Sequence, residues 1–80
     1  MRIKTFYGAE WCGDCKRSRL FLDKNKISYA YIDIDSDPRA SQRVAEINNG
    51  LKSIPTIIFE DGSVLVEPSN HELKLKLELN

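Results

Sequence analysis

Ala9-Glu10-Trp11-Cys12-Gly13-Asp14-Cys15-Lys16 holds both cysteines of an 80-residue chain, two residues apart. Three chemistries compete for such a pair: a redox couple, half of a metal site, or a structural staple. A structural zinc ion takes four ligands, typically two cysteine pairs or one pair with two histidines. Beyond Cys12 and Cys15 this chain offers one histidine, His71, far away in sequence, so no metal is expected. A staple over so short a loop constrains the unfolded chain very little. A Cys-X-X-Cys that opens a helix directly after a strand is, in contrast, a redox signal.

The physical basis of that signal is the helix start. Unpaired N–H groups and the positive end of the helix dipole stabilise a thiolate at the first cysteine and so raise its reactive fraction. Cys12 is therefore expected as the nucleophile. Cys15, one turn on and less exposed, is placed to attack a mixed disulfide formed at Cys12 and resolve it. Asp14 between them opposes thiolate formation while Lys16 and Arg17 favour it, and the sign of the sum stays open at the level of sequence.

Composition bounds the rest. Eighty residues allow one domain, 1–80, with one core that buries roughly 60–70% of the unfolded surface. With 41% hydrophobic and 30% charged residues the chain reads as globular rather than disordered. Twelve Lys and Arg balance twelve Asp and Glu, which argues against a nucleic-acid module. The first residues, Met1 to Gly8, lack the apolar run of a signal peptide, and no stretch approaches the ~20 apolar residues of a membrane span. The expectation is a cytoplasmic protein without a membrane partner, where paired cysteines serve catalysis more often than stapling.

Working outward, residues 2–7 are rich in β-branched and aromatic types and end at Gly8, a first strand. A helix over 13–25 follows, with Leu20, Phe21 and Leu22 on its apolar side. Residues 27–34 are apolar on both faces in their middle, as in a buried parallel strand. Asp37-Pro38 caps and opens a second helix, with Ala40, Val44, Ala45 and Ile47 as its stripe and Asn49-Gly50 as its stop. Residues 56–59 and 64–66 flank an Asp61-Gly62 turn as a hairpin. Residues 69–79 alternate leucines with charges at period two, which favours a strand, yet Ser69 and Glu72 form a capping box, which favours a helix. Helix is the reading adopted. It sets Leu75 and Leu79 away from Leu73 and Leu77, so the helix is buried on two sides or presents one pair as a contact surface.

The order β-α-β-α-β-β-α predicts an α/β fold, a four-stranded mixed sheet with helices on both faces and the cysteines at the first strand-to-helix junction. With Trp11-Cys12-Gly13-Asp14-Cys15 after the first strand, Ser53-Ile54-Pro55-Thr56 before the third, and the run from Phe59-Glu60-Asp61-Gly62-Ser63 to Pro68-Ser69, the sequence resembles the glutaredoxin family. That family shares the thioredoxin-like fold, and the resemblance is greatest to its mycoredoxin-like group. It implies a cis Ile54-Pro55 peptide facing Cys12, with the backbone of Ile54 pairing with the substrate. It implies Trp11 beside the disulfide as a partner contact, and Ser69 and Asn70, at the last helix start, as the place for the carboxylate end of a thiol. Two positions depart from the family pattern. Ala9 stands where many members carry a lysine, and Glu67-Pro68 where they carry Gly-Gly, which makes thiols other than glutathione credible.

The function implied is a glutaredoxin-like thiol–disulfide oxidoreductase. It reduces protein disulfides, or mixed disulfides between proteins and a low-molecular-weight thiol, through Cys12 and Cys15. No tightly bound cofactor is expected, only a glutathione- or mycothiol-like thiol as co-substrate, and the protein is expected as a monomer. Two alternatives share the motif: a redoxin recharged by thioredoxin reductase, and a carrier holding a [2Fe–2S] cluster between Cys12 of two chains and two thiols.

Overall fold

The computed structural model describes all residues, 1–80. Its elements run β1 (Ile3–Gly8), α1 (Gly13–Lys24), β2 (Ala30–Asp33), α2 (Pro38–Ile47), β3 (Thr56–Phe59), β4 (Val64–Val66) and α3 (Asn70–Lys76). They form one mixed sheet of order β2-β1-β3-β4, with β1 parallel to β2 and antiparallel to β3. The expected element order and mixed sheet are both present.

Strand alternation assigns the helices to faces. Phe6 pairs with Ile57 and Tyr31, and Tyr7 with Thr56, so Phe6, Gly8, Tyr31, Ile57 and Phe59 share one face while Thr56 lies on the other. A Cβ placed on Gly8 would lie 3.1 Å from Cys15 Sγ, which puts α1 on the first face. Lys76 Nζ stands 5.2 Å from the centre of the Phe59 ring, which puts α3 there too. Asn48, the C-cap of α2, donates to Thr56 Oγ1 at 3.1 Å, which puts the end of α2 on the opposite face. The core accordingly runs through both faces: Phe6, Leu22, Ile57, Phe59 and Leu73 on the α1–α3 side, Val44 and Ala40 from α2.

All three helices end alike. Lys26, Asn49 and Glu78 adopt positive φ near 57–58°. The next residue returns its N–H to the carbonyl five positions back: Ile27 to Leu22, Gly50 to Ala45 and Leu79 to Lys74. This is the Schellman closure, made here without glycine at the left-handed position. It resolves the ambiguity of the last segment. The capping box forms in full at Ser69, the helix stops after Lys76, and the turn at Glu78 folds Leu79 back against the core beside Leu73 and Leu77. Only Leu75 is left outside, 65% exposed, so the helix is buried on one side.

Two expectations need correction. The second strand is four residues long rather than eight, because Ile27 is consumed by the closure of α1, and it is a half-buried edge strand with β1 as its one neighbour. Parallel pairing had suggested full burial, but an edge strand is covered less than a central one. On α1, Leu20 is 69% exposed while Leu22 is fully buried. Three consecutive residues span about 200° of a helix, so they cannot share one face; Cys15, Ser18 and Leu22 form the buried stripe instead.

Candidate active site

Where β1 ends, the chain turns through Ala9 to Trp11 and enters α1 at Cys12, whose extended backbone makes it the N-cap. Its sulfur does what a serine oxygen would do at such a position: it accepts the N–H of Cys15 at 3.1 Å. The Cys12 thiol also points at the Ile54 carbonyl, 4.0 Å away. The Ile54–Pro55 peptide is cis, as the resemblance implies. That loop is held from below. Thr56 Oγ1 donates to Ser53 O at 2.7 Å, and the Glu67 N–H donates to Pro55 O at 2.8 Å.

The two thiols differ. Cys12 keeps 8% of its surface and Cys15 only 1%. Burial, aided by the contact with Cys12 and by the nearby charge of Asp14, pushes the Cys15 thiol up to about 12, so it stays protonated at neutral pH. Both cysteines are buried, and the less buried sulfur receives an N–H while the deeper one keeps its proton, an asymmetry that suits disulfide exchange.

The segment before Cys12 is tied to β2 and the loop beyond it. Glu10 accepts from Tyr31 Oη at 2.7 Å and from Arg19 at 3.3 Å, and the Arg19 guanidinium lies 3.7 Å over the Tyr31 ring. Trp11 is 69% exposed, and its indole N–H donates to Asp35 at 2.6 Å. Exposed and oriented, Trp11 is available to a partner.

Asp14 does not act alone. Arg17, one turn on, donates to it from Nη2 at 2.7 Å and from Nε at 3.1 Å. The same guanidinium donates to Ser18 Oγ at 3.0 Å, to Pro68 O at 2.7 Å and to Asn70 Oδ1. Arg17 thereby joins the residue between the cysteines to the start of α3. A groove of about 530 Å³ lies along this junction, lined by Asp14, Arg17, Glu67, Pro68 and residues 69–72. Ser69 and Asn70 are both on it, but they are less free than the sequence suggests. The Ser69 hydroxyl and N–H are both engaged by Glu72, and the Asn70 side-chain oxygen by Arg17. A second cavity, about 300 Å³ between Met1, Lys26 and Glu60, lies at the far end of β1 from the cysteines.

The structure thus brings Cys12, Cys15 and the Ile54–Pro55 peptide together, with Pro68 and Asn70, on either side of Ser69, linked to the motif through Arg17. In the sequence Arg17 has only an electrostatic part beside the cysteines, and nothing there singled out Arg19, Glu10, Tyr31 or Asp35. One signal was available, the Asp14–Arg17 spacing of three on a helix.

The comparisons agree with this geometry. A family model described as glutaredoxin matches residues 4–64. A Mycobacterium tuberculosis protein titled "Putative glutaredoxin" is 41% identical over 73 residues, which cover 91% of this chain and 87% of that protein. Mycoredoxin 1 of Corynebacterium glutamicum is 32% identical over 74 residues, 92% of this chain and 91% of its own. Among solved structures, a mutant of a thioredoxin-like protein superposes with a TM-score of 0.80 at 26% identity, covering 95% of this chain and 99% of its own. A glutaredoxin from Archaeoglobus fulgidus gives 0.73 at 22% identity over 91% and 83% of the two chains, and speaks for the fold alone. A thioredoxin-like fold that sets a Cys-X-X-Cys pair against a cis proline, together with these matches over most of the chain, places the protein in the glutaredoxin family of thiol–disulfide oxidoreductases.

Proposed function

We propose that the protein reduces mixed disulfides between protein cysteines and a low-molecular-weight thiol, and protein disulfides, acting as a single-domain cytoplasmic monomer. The observation that carries this reading is the asymmetry of the pair: Cys12 caps α1, faces the Ile54 carbonyl and keeps some exposure, while Cys15 is fully buried and held protonated.

In the first step the Cys12 thiolate attacks one sulfur of the substrate disulfide. A new S–S bond forms to Cys12, the old one breaks, and the departing sulfur leaves as a thiolate with the electron pair. The N–H of Ile54 makes no hydrogen bond within the chain, which suits it to pair with the substrate backbone as an added strand. Trp11 supplies an aromatic contact, and the remainder of a small thiol lies along the groove at Ser69 and Asn70. The intermediate then has two exits. A second thiolate attacks the substrate-derived sulfur, forms a disulfide with it and expels Cys12 as a thiolate, or Cys15 gives up its proton, attacks Cys12 Sγ and expels the substrate sulfur as a thiolate, leaving an internal disulfide that another two electrons must reduce.

The likeness to mycoredoxin 1 supports a mycothiol-like thiol beside glutathione. Ala9, buried where a lysine would reach the thiol, weighs in the same direction. No helix is long and apolar enough to cross a membrane. The test compares wild type with Cys15→Ser, each with a thiol-mixed disulfide and with a protein disulfide as substrate. Recycling is by glutathione, by mycothiol, or by thioredoxin reductase and NADPH. Thiol recycling predicts that Cys15→Ser keeps mixed-disulfide turnover and loses protein-disulfide turnover. Turnover by the reductase alone would replace the thiol with that flavoenzyme, and a wild type inert toward both substrates would sink the proposal.

A further inference from the structure

A thiol that carries carboxylates needs a cation or free helix N–H groups to receive them. The groove between the start of α1 and the start of α3 offers one cation, and the chain's own oxygens already occupy it. Its one guanidinium, Arg17, has all three nitrogens engaged, with Asp14 taking two of them. At the helix start, the Ser69 N–H donates to Glu72 Oε1 at 3.0 Å. Glu67 adds a third carboxylate to the lining, and His71 is the remaining titratable group there. The positive φ of Glu67, 49°, is a conformation that glycine adopts more easily, so this position presents a charge where a bare backbone would fit.

We propose that Asp14 is a specificity-determining residue: by holding Arg17 it denies the groove's one guanidinium to ligand carboxylates, so the enzyme discriminates against anionic thiols. This rests on the groove being the thiol site of the function proposed above. An anionic ligand meets three carboxylates and an occupied guanidinium. A neutral one meets the same walls without the repulsion. Asp14 touches no reacting sulfur in this role; it acts through Arg17.

The test measures the second-order oxidation of Cys12 in a Cys15→Ser background, which isolates the first step. Two disulfides are used, glutathione disulfide as the anionic probe and 2-hydroxyethyl disulfide as the neutral one. Any change in the intrinsic reactivity of Cys12 moves both rates together, so the readout is their ratio. Asp14→Asn is expected to raise the anionic-to-neutral ratio by about threefold to fivefold at low salt, the range open to a partly exposed pair. The gain should shrink at about 1 M salt, where the Debye length falls to ~3 Å. Asp14→Glu is expected to restore the low ratio, and Glu46→Gln on α2, with the same change of net charge, to leave it within twofold. An unchanged ratio in Asp14→Asn, or an equal rise in Glu46→Gln, overturns the assignment and leaves the oxidoreductase reading standing. Failure of the parent to react with either disulfide would defeat that reading itself.

Discussion

Gly8→Ala adds a single methyl group at the one glycine of the four that has neighbours within 4 Å of a new Cβ. The new Cβ would lie 3.0 Å from Phe6 Cε1, 3.1 Å from Cys15 Sγ and 3.2 Å from Tyr31 Cε1. None of these neighbours is the loose end of a flexible side chain. Phe6 is fully buried and packed against the rings of Tyr29 and Tyr31 at 5.5 and 5.9 Å, and Tyr31 is fixed at its hydroxyl by Glu10. Overpacking of this kind costs roughly 1–3 kcal/mol. Against it stands the smaller entropy of the unfolded alanine chain, about 0.4–1 kcal/mol in favour of the variant. The net loss expected is about 1–2 kcal/mol, which at about 4–8 °C per kcal/mol lowers Tm by roughly 5–15 °C. Thermal unfolding of the reduced protein reads this directly. Relief of the contact by movement of Cys15 also predicts a slower resolving step with the first attack of Cys12 unchanged, measured as accumulation of the mixed disulfide after rapid mixing. A variant with an unchanged or higher Tm would show that the site has slack, and the argument that Gly8 is required for close approach would fall.

Two further outcomes follow from groups away from that contact. The Cys15 thiol is raised from 9.0 to about 12 in the folded protein. Its neutral form is thus favoured by folding, and the stabilisation is complete below about pH 9 and lost as pH climbs toward 12, with a ceiling near 4 kcal/mol; chemical denaturation from pH 8 to 11 should show a steeper alkaline loss for wild type than for Cys15→Ser, and parallel curves would refute it. Lys26 is exposed and held at φ 57° by the closure of α1, so Lys26→Gly should gain about 0.5–1 kcal/mol, the left-handed cost of a side chain less the added freedom of glycine when unfolded; a lower urea midpoint would count against the Schellman assignment.

What the sequence showed depended on how local the cause was. The cysteine spacing, Asp37-Pro38, Asp61-Gly62 and the Ser69–Glu72 box each act within a few residues, and each is found where expected. The fate of Leu75 and Leu79 was ambiguous because period two and period 3.6 share those leucines; the tertiary contact of Leu79 after a left-handed turn decided it. The position of β2 was illegible for a related reason, since nothing in residues 27–34 says which neighbour a strand lacks. The cis peptide came only from the resemblance. Asp35 on Trp11 and Arg17 on Pro68 join residues 24 and 51 apart, and no window of sequence contains both partners.

The role of Asp14, open on electrostatic grounds in the sequence, now divides between two targets. Arg17 takes its carboxylate at 2.7 Å, while its remaining field adds to the forces that keep Cys15 protonated. The leading one of those forces is burial, which persists when Cys12 is tied up in a mixed disulfide; the contributions from Cys12 itself then vanish. Attack by Cys15 therefore begins from a mostly neutral thiol, whose reactive fraction at neutral pH is small. A small thiol arriving from solvent bears no such handicap. Burial of the resolving cysteine is therefore expected to lengthen the life of the mixed disulfide at Cys12, against the proximity that favours an intramolecular attack. Accumulation of the mixed disulfide in the wild type after rapid mixing checks this, and immediate formation of the Cys12–Cys15 disulfide would refute it.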